Sequence, residues 1–231
     1  MISRDQPARR ILTAHPISAS RAASPSVRVL PILMIAALAA CDSIAAARRK
    51  EPGARVTVEG TVSVPSGVID AGFAISDGRR GIHIAADSAT RVRAGEGVRV
   101  HGVVADNHGL LSIRPDSITR IPGKALPPPR DVRIAEVGEA SEGRMVRIRG
   151  RAVAPVEDDL PYGYKLRVFD RSGMVQVFFS ASVQGFRLER IRAGSALSVA
   201  GFSAQYDTAY EVIPTAPADL FVSEVGILRR P

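Results

Sequence analysis

From Arg55 onward apolar residues fall on alternate positions: Val56, Val58, Val62 and Val64 on one side, with Gly60 among them, and Arg55, Thr57, Glu59, Thr61 and Ser63 on the other. A period of two is the signature of a half-buried strand. The pattern returns ninety residues later over residues 145–154, where Val146, Ile148, Gly150 and Ala152 align with the first set and Pro155 matches Pro65. A glycine inside an otherwise strong strand predicts a sharp bend, of the kind needed where a strand crosses from one side of a small barrel to the other. Next in each copy come two strands around a tight turn, "GFAISDGRRGIHIAA" over residues 72–86 and "YKLRVFDRSGMVQVFFS" over residues 164–180. Their alternation sends Phe73, Ile75, Ile82 and Ile84 inward in the first copy and Leu166, Val168, Val175, Val177 and Phe179 inward in the second.

Residues 91–105, "RVRAGEGVRVHGVVA", return ungapped at residues 190–204 as "RIRAGSALSVAGFSA", so the chain contains a duplication. Short connectors of expected helical character, residues 87–92 and 182–191, precede the repeated strand. A last strand, residues 110–113 and 210–213, closes each copy. The order of long bent strand, hairpin, connector, strand, turn and strand resembles the OB-fold barrel. The resemblance implies an all-β chain of two tandem five-stranded OB-fold-like barrels behind an N-terminal signal peptide. Residues 53–121 form the first barrel and residues 131–222 the second, followed by a tail of residues 223–231. Between them residues 122–130 carry Pro127, Pro128 and Pro129, a stiff linker that predicts two separable domains. Residues 132–137 are expected to form a short helix leading into the second. Residues 126–150 also look like the lead-in to OB-type modules of extracytoplasmic sensor-kinase regions. The first copy, with "ISDG" and "GVRVHG", is similar to modules that accompany secreted nucleases.

Charge sharpens the picture at the N-terminus. The formal net charge is +8 over 231 residues, of which residues 1–40 hold +4 and residues 41–50 hold +2, leaving +2 for the remainder. The basicity is therefore concentrated at the front of the chain and argues weakly for a polyanion partner. Arg28 precedes the apolar run of residues 29–40, about 12 residues and too short to span a bilayer core of roughly 30 Å as a helix. A signal-peptide h-region fits it, so residues 1–40 are expected to be removed, with translation starting near Val27 and residues 1–26 outside the functional signal. Leu38, Ala39, Ala40 and Cys41 resemble a bacterial lipobox, which implies a diacylglyceryl group on Cys41 and a membrane-lipid partner. Asp42 favours inner-membrane retention in some bacteria. Residues 41–52 read as a lipidated tether, in which Arg48, Arg49 and Lys50 either touch lipid headgroups or belong to a solvated linker. Cys41 is the one cysteine of the sequence, so no intramolecular disulfide holds the fold.

Catalytic chemistry finds no constellation. His83 and His101 fall on expected outward positions of different strands, His108 lies in the turn "DNHG", and Glu157, Asp158 and Asp159 lack the alternate spacing of a calcium loop. No metal, no cofactor and no enzymatic activity are expected. Binding is better supported, because all four tyrosines belong to the second copy. Tyr162 and Tyr164 lie in or beside the loop joining its first two strands, and Tyr206 and Tyr210 around its last turn. The outward rows there carry Arg147, Arg149, Arg151, Lys165, Arg167, Phe169, Gln176 and Phe178. The corresponding set in the first copy, Thr57, Glu59, Thr61, Ala74, Ser76 and His83, is bland. The expected ligand residues are Arg147, Arg149, Tyr162, Tyr164, Lys165, Arg167, Phe169, Phe178 and Tyr206. Cations beside aromatics suit an oligonucleotide or an oligosaccharide, and a protein segment is a further expectation. The function expected is a membrane-anchored extracytoplasmic binding module, on the periplasmic side of the inner or outer membrane. The alternative is a structural or protein-interaction lipoprotein of the cell envelope with an envelope protein partner.

Overall fold

The computed structural model describes residues 41–223; the expected signal peptide and the Leu38, Ala39 and Ala40 positions of the expected lipobox lie outside the described residues. In the first copy the alternating segments form β1 (Arg55–Val64), β2 (Phe73–Ser76), β3 (Gly81–Ile84), β4 (Gly97–Asn107) and β5 (Leu110–Ile121). They close a barrel in the order β1-β2-β3-β5-β4. All neighbours are antiparallel except β3 and β5, which run parallel through His83 with Ser112 and Ile84 with Ile113. The bend expected at Gly60 is where β1 changes partner. Residues 55–61 pair with β4, residues 61–64 pair with β2, and a Cβ at Gly60 would stand 3.0 Å from the Ile75 side chain.

The second copy repeats this with additions. Its strands are β6 (Arg130–Asp131), β7 (Met145–Ala152), β8 (Glu157–Asp159), β9 (Gly163–Phe169), β10 (Met174–Ser180), β11 (Ala196–Tyr206), β12 (Ala209–Ile213) and β13 (Leu220–Ser223). Strands β7, β9, β10, β12 and β11 form the same ring, closed by β11 on β7, with β10 and β12 parallel. Both copies therefore have the OB-fold topology. β6, β8 and β13 are edge additions. The segment expected as a helix after the linker is a single 3-10 turn, Ile134–Glu136. The connectors also lack an α-helix: residues 87–92 form turns, and the second connector has only the 3-10 turn Leu188–Arg190. Each is too short and too poor in apolar period to sustain helical hydrogen bonds.

Three apolar clusters hold the molecule together. One fills the first barrel around Phe73, Ile75, Val98 and Ile113, and one fills the second around Ile148, Leu166, Phe179 and Val199. The third lies between the barrels, joining Val64, Val68, Ile69, Ala74 and Leu110 of the first to Phe202, Ala204 and Ile213 of the second. Residues 41–223 accordingly form one compact unit. The two domains expected from the linker meet through this third cluster.

The expected tether is a packed element. Asp42 N donates to Thr57 O at 2.7 Å, Ser43 caps the short helix α1 (Ile44–Ala47), and Ile44 and Ala47 are buried in the first core. Arg48 turns away from any headgroup: Nη2 pairs with Glu142 at 3.0 Å and Glu139 at 3.5 Å, and Nη1 donates to Gly81 O at 3.4 Å. This clamp ties the N-terminal segment and β3 to the start of the second barrel. Burial raises the Glu142 carboxyl above its usual range, opposed by the Arg48 charge. Beside it Gly81 and Gly143 approach so closely that a Cβ on Gly81 would lie 1.8 Å from Gly143 O. Neither position has room for a side chain.

Candidate functional site

An OB barrel presents its second and third strands to a ligand. In the first barrel the outward row of β2 and β3 is Ala74, Ser76, Gly81 and His83, and it is closed. Ala74 belongs to the cluster between the barrels, and Gly81 abuts Gly143. His83, expected at the surface, is 1% exposed. Its Nδ1 lies 2.9 Å from Ser112 Oγ, and its Nε2 has no hydrogen-bond partner among the described residues. Burial lowers its pKa to about 4, against the nearby Asp70 charge, so the ring is neutral at pH 7. Thr61 is also buried; its hydroxyl accepts a 2.8 Å bond from Lys124 N and fastens the linker. Half of the bland outer set of the first copy, Thr61, Ala74 and His83, is covered.

The corresponding face of the second barrel is open. Pairing sets Arg167 beside Gln176, Phe169 beside Met174, and Arg151 of β7 on the other side of Phe169. Phe169 is 42% exposed and Met174 58%. The carboxylates of residues 157–159, expected as a solvated loop, form β8 and pair along β9. Glu157 meets Arg167 at 3.2 Å, Asp159 meets Lys165 at 2.8 Å, and the charges on the four side chains cancel. Behind this row Gln176 Nε2 donates to Glu211 Oε2 at 2.9 Å, and burial raises the pKa of Glu211. Tyr162, 73% exposed, sits in the loop before β9, where its carbonyl accepts from Ala181 N at 2.9 Å.

Lys165, Arg167 and Phe169 thus share one accessible face, with Tyr162 at its loop end. The other expected ligand residues are elsewhere. Arg149 pairs with Asp131 of β6 at 3.0 Å, and Arg147 stands beside Ala200 of β11. Tyr164 is on the inward row and packs against the core at the barrel mouth, together with Tyr210, whose hydroxyl donates to Glu139 at 3.2 Å. Phe178 packs against the cluster between the barrels. Tyr206 stacks on His108 with ring centroids 5.4 Å apart. There the two equivalent hairpin tips meet, and Asp207 N donates to His108 O at 2.6 Å. Met174 was missed, although it shares the outward parity of Gln176 and Phe178. A hollow of about 500 Å³ at the loop end, lined by Leu160, Tyr164, Phe179, Phe186 and Leu188, adjoins this region. It had no signal in the sequence because the loop and the second connector lie 20 residues or more apart.

No family model matches the chain, and no curated protein matches it. Among solved structures it is similar to asparaginyl-tRNA synthetase from Pyrococcus horikoshii, with a TM-score of 0.35, 21% identity, 40% of this chain and 23% of that one. It is also similar to the hypothetical protein ygiW from E. coli, with a TM-score of 0.31, 16% identity, 36% of this chain and 90% of that one. A third, a putative aspartyl-tRNA synthetase from Leishmania major Friedlin, has a TM-score of 0.34 and 14% identity over 43% of this chain and 22% of that one. The fold assignment stands on the strand order and register given above.

Proposed function

We propose that this chain is a membrane-anchored, extracytoplasmic binding module without catalytic activity, held by lipid on Cys41, and that its second barrel takes an extended ligand across β9 and β10. The observation that carries this reading is the open face of Lys165, Arg167, Phe169 and Met174, set against the closed equivalent face of the first barrel. Lys165 and Arg167 already face carboxylates, which a phosphate backbone would also meet. An oligosaccharide or a protein segment, with rings or side chains stacked on Phe169 and Tyr162, therefore fits better than an oligonucleotide. Exposed ion pairs are worth roughly 0–1 kcal/mol, so the cations are free to turn to a ligand's hydroxyls or carbonyls. Cys41 is exposed, as an acyl carrier must be. Because residues 42–48 are packed on the first barrel, an acyl chain there would hold the barrel close to the bilayer.

The second reading, a structural or protein-interaction lipoprotein, draws on Phe221, which is 66% exposed on the edge strand β13. Tyrosine fluorescence separates the two. The sequence has no tryptophan and all its tyrosines are in the second copy. Titration with cell-envelope oligosaccharides and with single-stranded oligonucleotides at low salt is expected to perturb the signal with the former, and Arg167→Ala to weaken that response. If neither ligand class moves the signal and a stoichiometric protein is retained by the gently solubilised native protein, the interaction reading replaces the first. Loss of detergent-phase partitioning in Cys41→Ser tests the anchor.

A further inference from the structure

A cleft of about 680 Å³ opens at one end of the first barrel, where the connector between β3 and β4 passes the far half of β5 without a helix to fill the gap. Its floor is apolar, formed by Ala86, Val92 and Ile118 against the barrel core. Three guanidinium groups line it: Arg91 from the connector, and Arg114 and Arg120 from β5. Of their charges, that of Arg114 has no carboxylate partner among the described residues, whereas Arg91 lies within the electrostatic reach of Asp87. Arg91 Nη1 donates to the carbonyls of Ser88 and Thr90, and Arg120 Nη2 donates to Arg91 O at 2.9 Å. Arg120 also forms an ion pair with Glu96, at 3.6 Å from its Nε. Among the described residues Arg114 makes no ion pair and no side-chain hydrogen bond. The two carboxylates of the lining are engaged elsewhere. Asp116 is bound to Arg55 at 2.7 Å, and Asp87 accepts from Ala89 N, Thr90 N and the Thr90 hydroxyl.

The duplication supplies an internal control. Ile118 and Arg120 pair with Val100 and Val98 of β4; at the equivalent places Leu220 and Val222 of β13 pair with Val199 and Leu197 of β11. The second barrel thus closes the same end with apolar residues, which pack on its core together with Phe186 and Leu188. The fold does not need an arginine at the place of Arg120, although Arg91 has its counterpart in Arg190. Guanidinium groups held by neutral carbonyls over an apolar floor suit an anion with an attached organic group, and the planar fork of arginine matches phosphate oxygens in pairs.

We propose that this cleft binds a phosphate ester, with its phosphate on Arg114, Arg120 and Arg91 and its organic part on Val92 and Ile118. The site is independent of the ligand face on the second barrel. The test uses the full chain in neutral detergent micelles, titrated with glycerol 3-phosphate and separately with phosphatidylglycerol dispersed in the same detergent, with phosphorus-31 NMR reading both. Saturable shifts that weaken with salt are expected, and Arg114→Gln and Arg120→Gln are each expected to weaken binding about tenfold, the loss of one charge-assisted hydrogen bond. Arg167→Gln on the second barrel should leave it unchanged. A response to both probes assigns a soluble phosphate ester, and a response to the lipid alone assigns a headgroup. No saturable response to either, or unchanged affinity in Arg114→Gln, overturns the proposal. Arg114 is exposed and unpaired, so that variant tests the site without threatening the fold.

Discussion

The two barrels share one strand order and one register logic, yet their equivalent outer faces have opposite fates. On the first, β2 and β3 present Ala74, Ser76, Gly81 and His83, small or buried, and the second barrel is packed around them through Phe202, Ala204 and Ile213. On the second, β9 and β10 present Lys165, Arg167, Phe169 and Met174 to solvent. After a duplication, one copy of a binding face is free to become an attachment surface, and small side chains allow the close approach that attachment needs. Size of the outward residues, more than their polarity, separates the two outcomes. The opposite ends of the barrels differ the other way, with a charged open cleft in the first and apolar closure in the second.

The contrast is most severely broken at the seam. Phe202→Ala removes a fully buried ring from the cluster between the barrels, with an expected loss of about 3–5 kcal/mol. Chemical denaturation of the parent should show one cooperative transition, whereas the variant should unfold in two steps. A two-step parent would show that the third cluster does not couple the barrels. Arg48→Ala, which strands the buried Glu142 without its partner, is expected to cost about 3 kcal/mol in the same measurement. Glu142→Gln should cost less, because the Arg48 charge keeps Glu139 at 3.5 Å and the Gly81 carbonyl as partners.

A third effect depends on pH. His83 has its pKa lowered from 6.5 to about 4 in the fold, so the unfolded chain takes up its proton first on acidification. Its contribution is fully present above about pH 6.5 and is lost as pH falls through about 4, amounting to at most about 3 kcal/mol. Glu211, with a raised pKa, works in the opposite sense and gains on acidification. Urea midpoints measured from pH 7 to pH 4 should therefore fall less steeply in His83→Gln and more steeply in Glu211→Gln. The smallest expected change in stability, within about 0.5 kcal/mol, belongs to Phe169→Ala on the open face. The same substitution is expected to weaken oligosaccharide or peptide binding by roughly 1–3 kcal/mol, if stacking there resembles base stacking on aromatic residues. An unchanged affinity would remove Phe169 from the site.

The sequence by itself determined the five strands of each barrel, the duplication and the barrel topology. Alternation with a period of two is imposed locally by the strand backbone, and the bends at Gly60 and Gly150 follow from side-chain absence at the same places in both copies. Lys165, Arg167 and Phe169 were legible as an outward row for the same reason. What parity cannot tell is whether an outward position meets solvent or another element. Ala74, His83 and Phe178 alternate outward and are covered, and Arg48 reads as a tether charge and is a buried clamp. The pairing of β8 with β9, which puts Glu157 and Asp159 on the cations, also required the fold. Only the tertiary structure decided these points, because packing between two barrels joins residues that are far apart in the chain and leave no periodic trace in it.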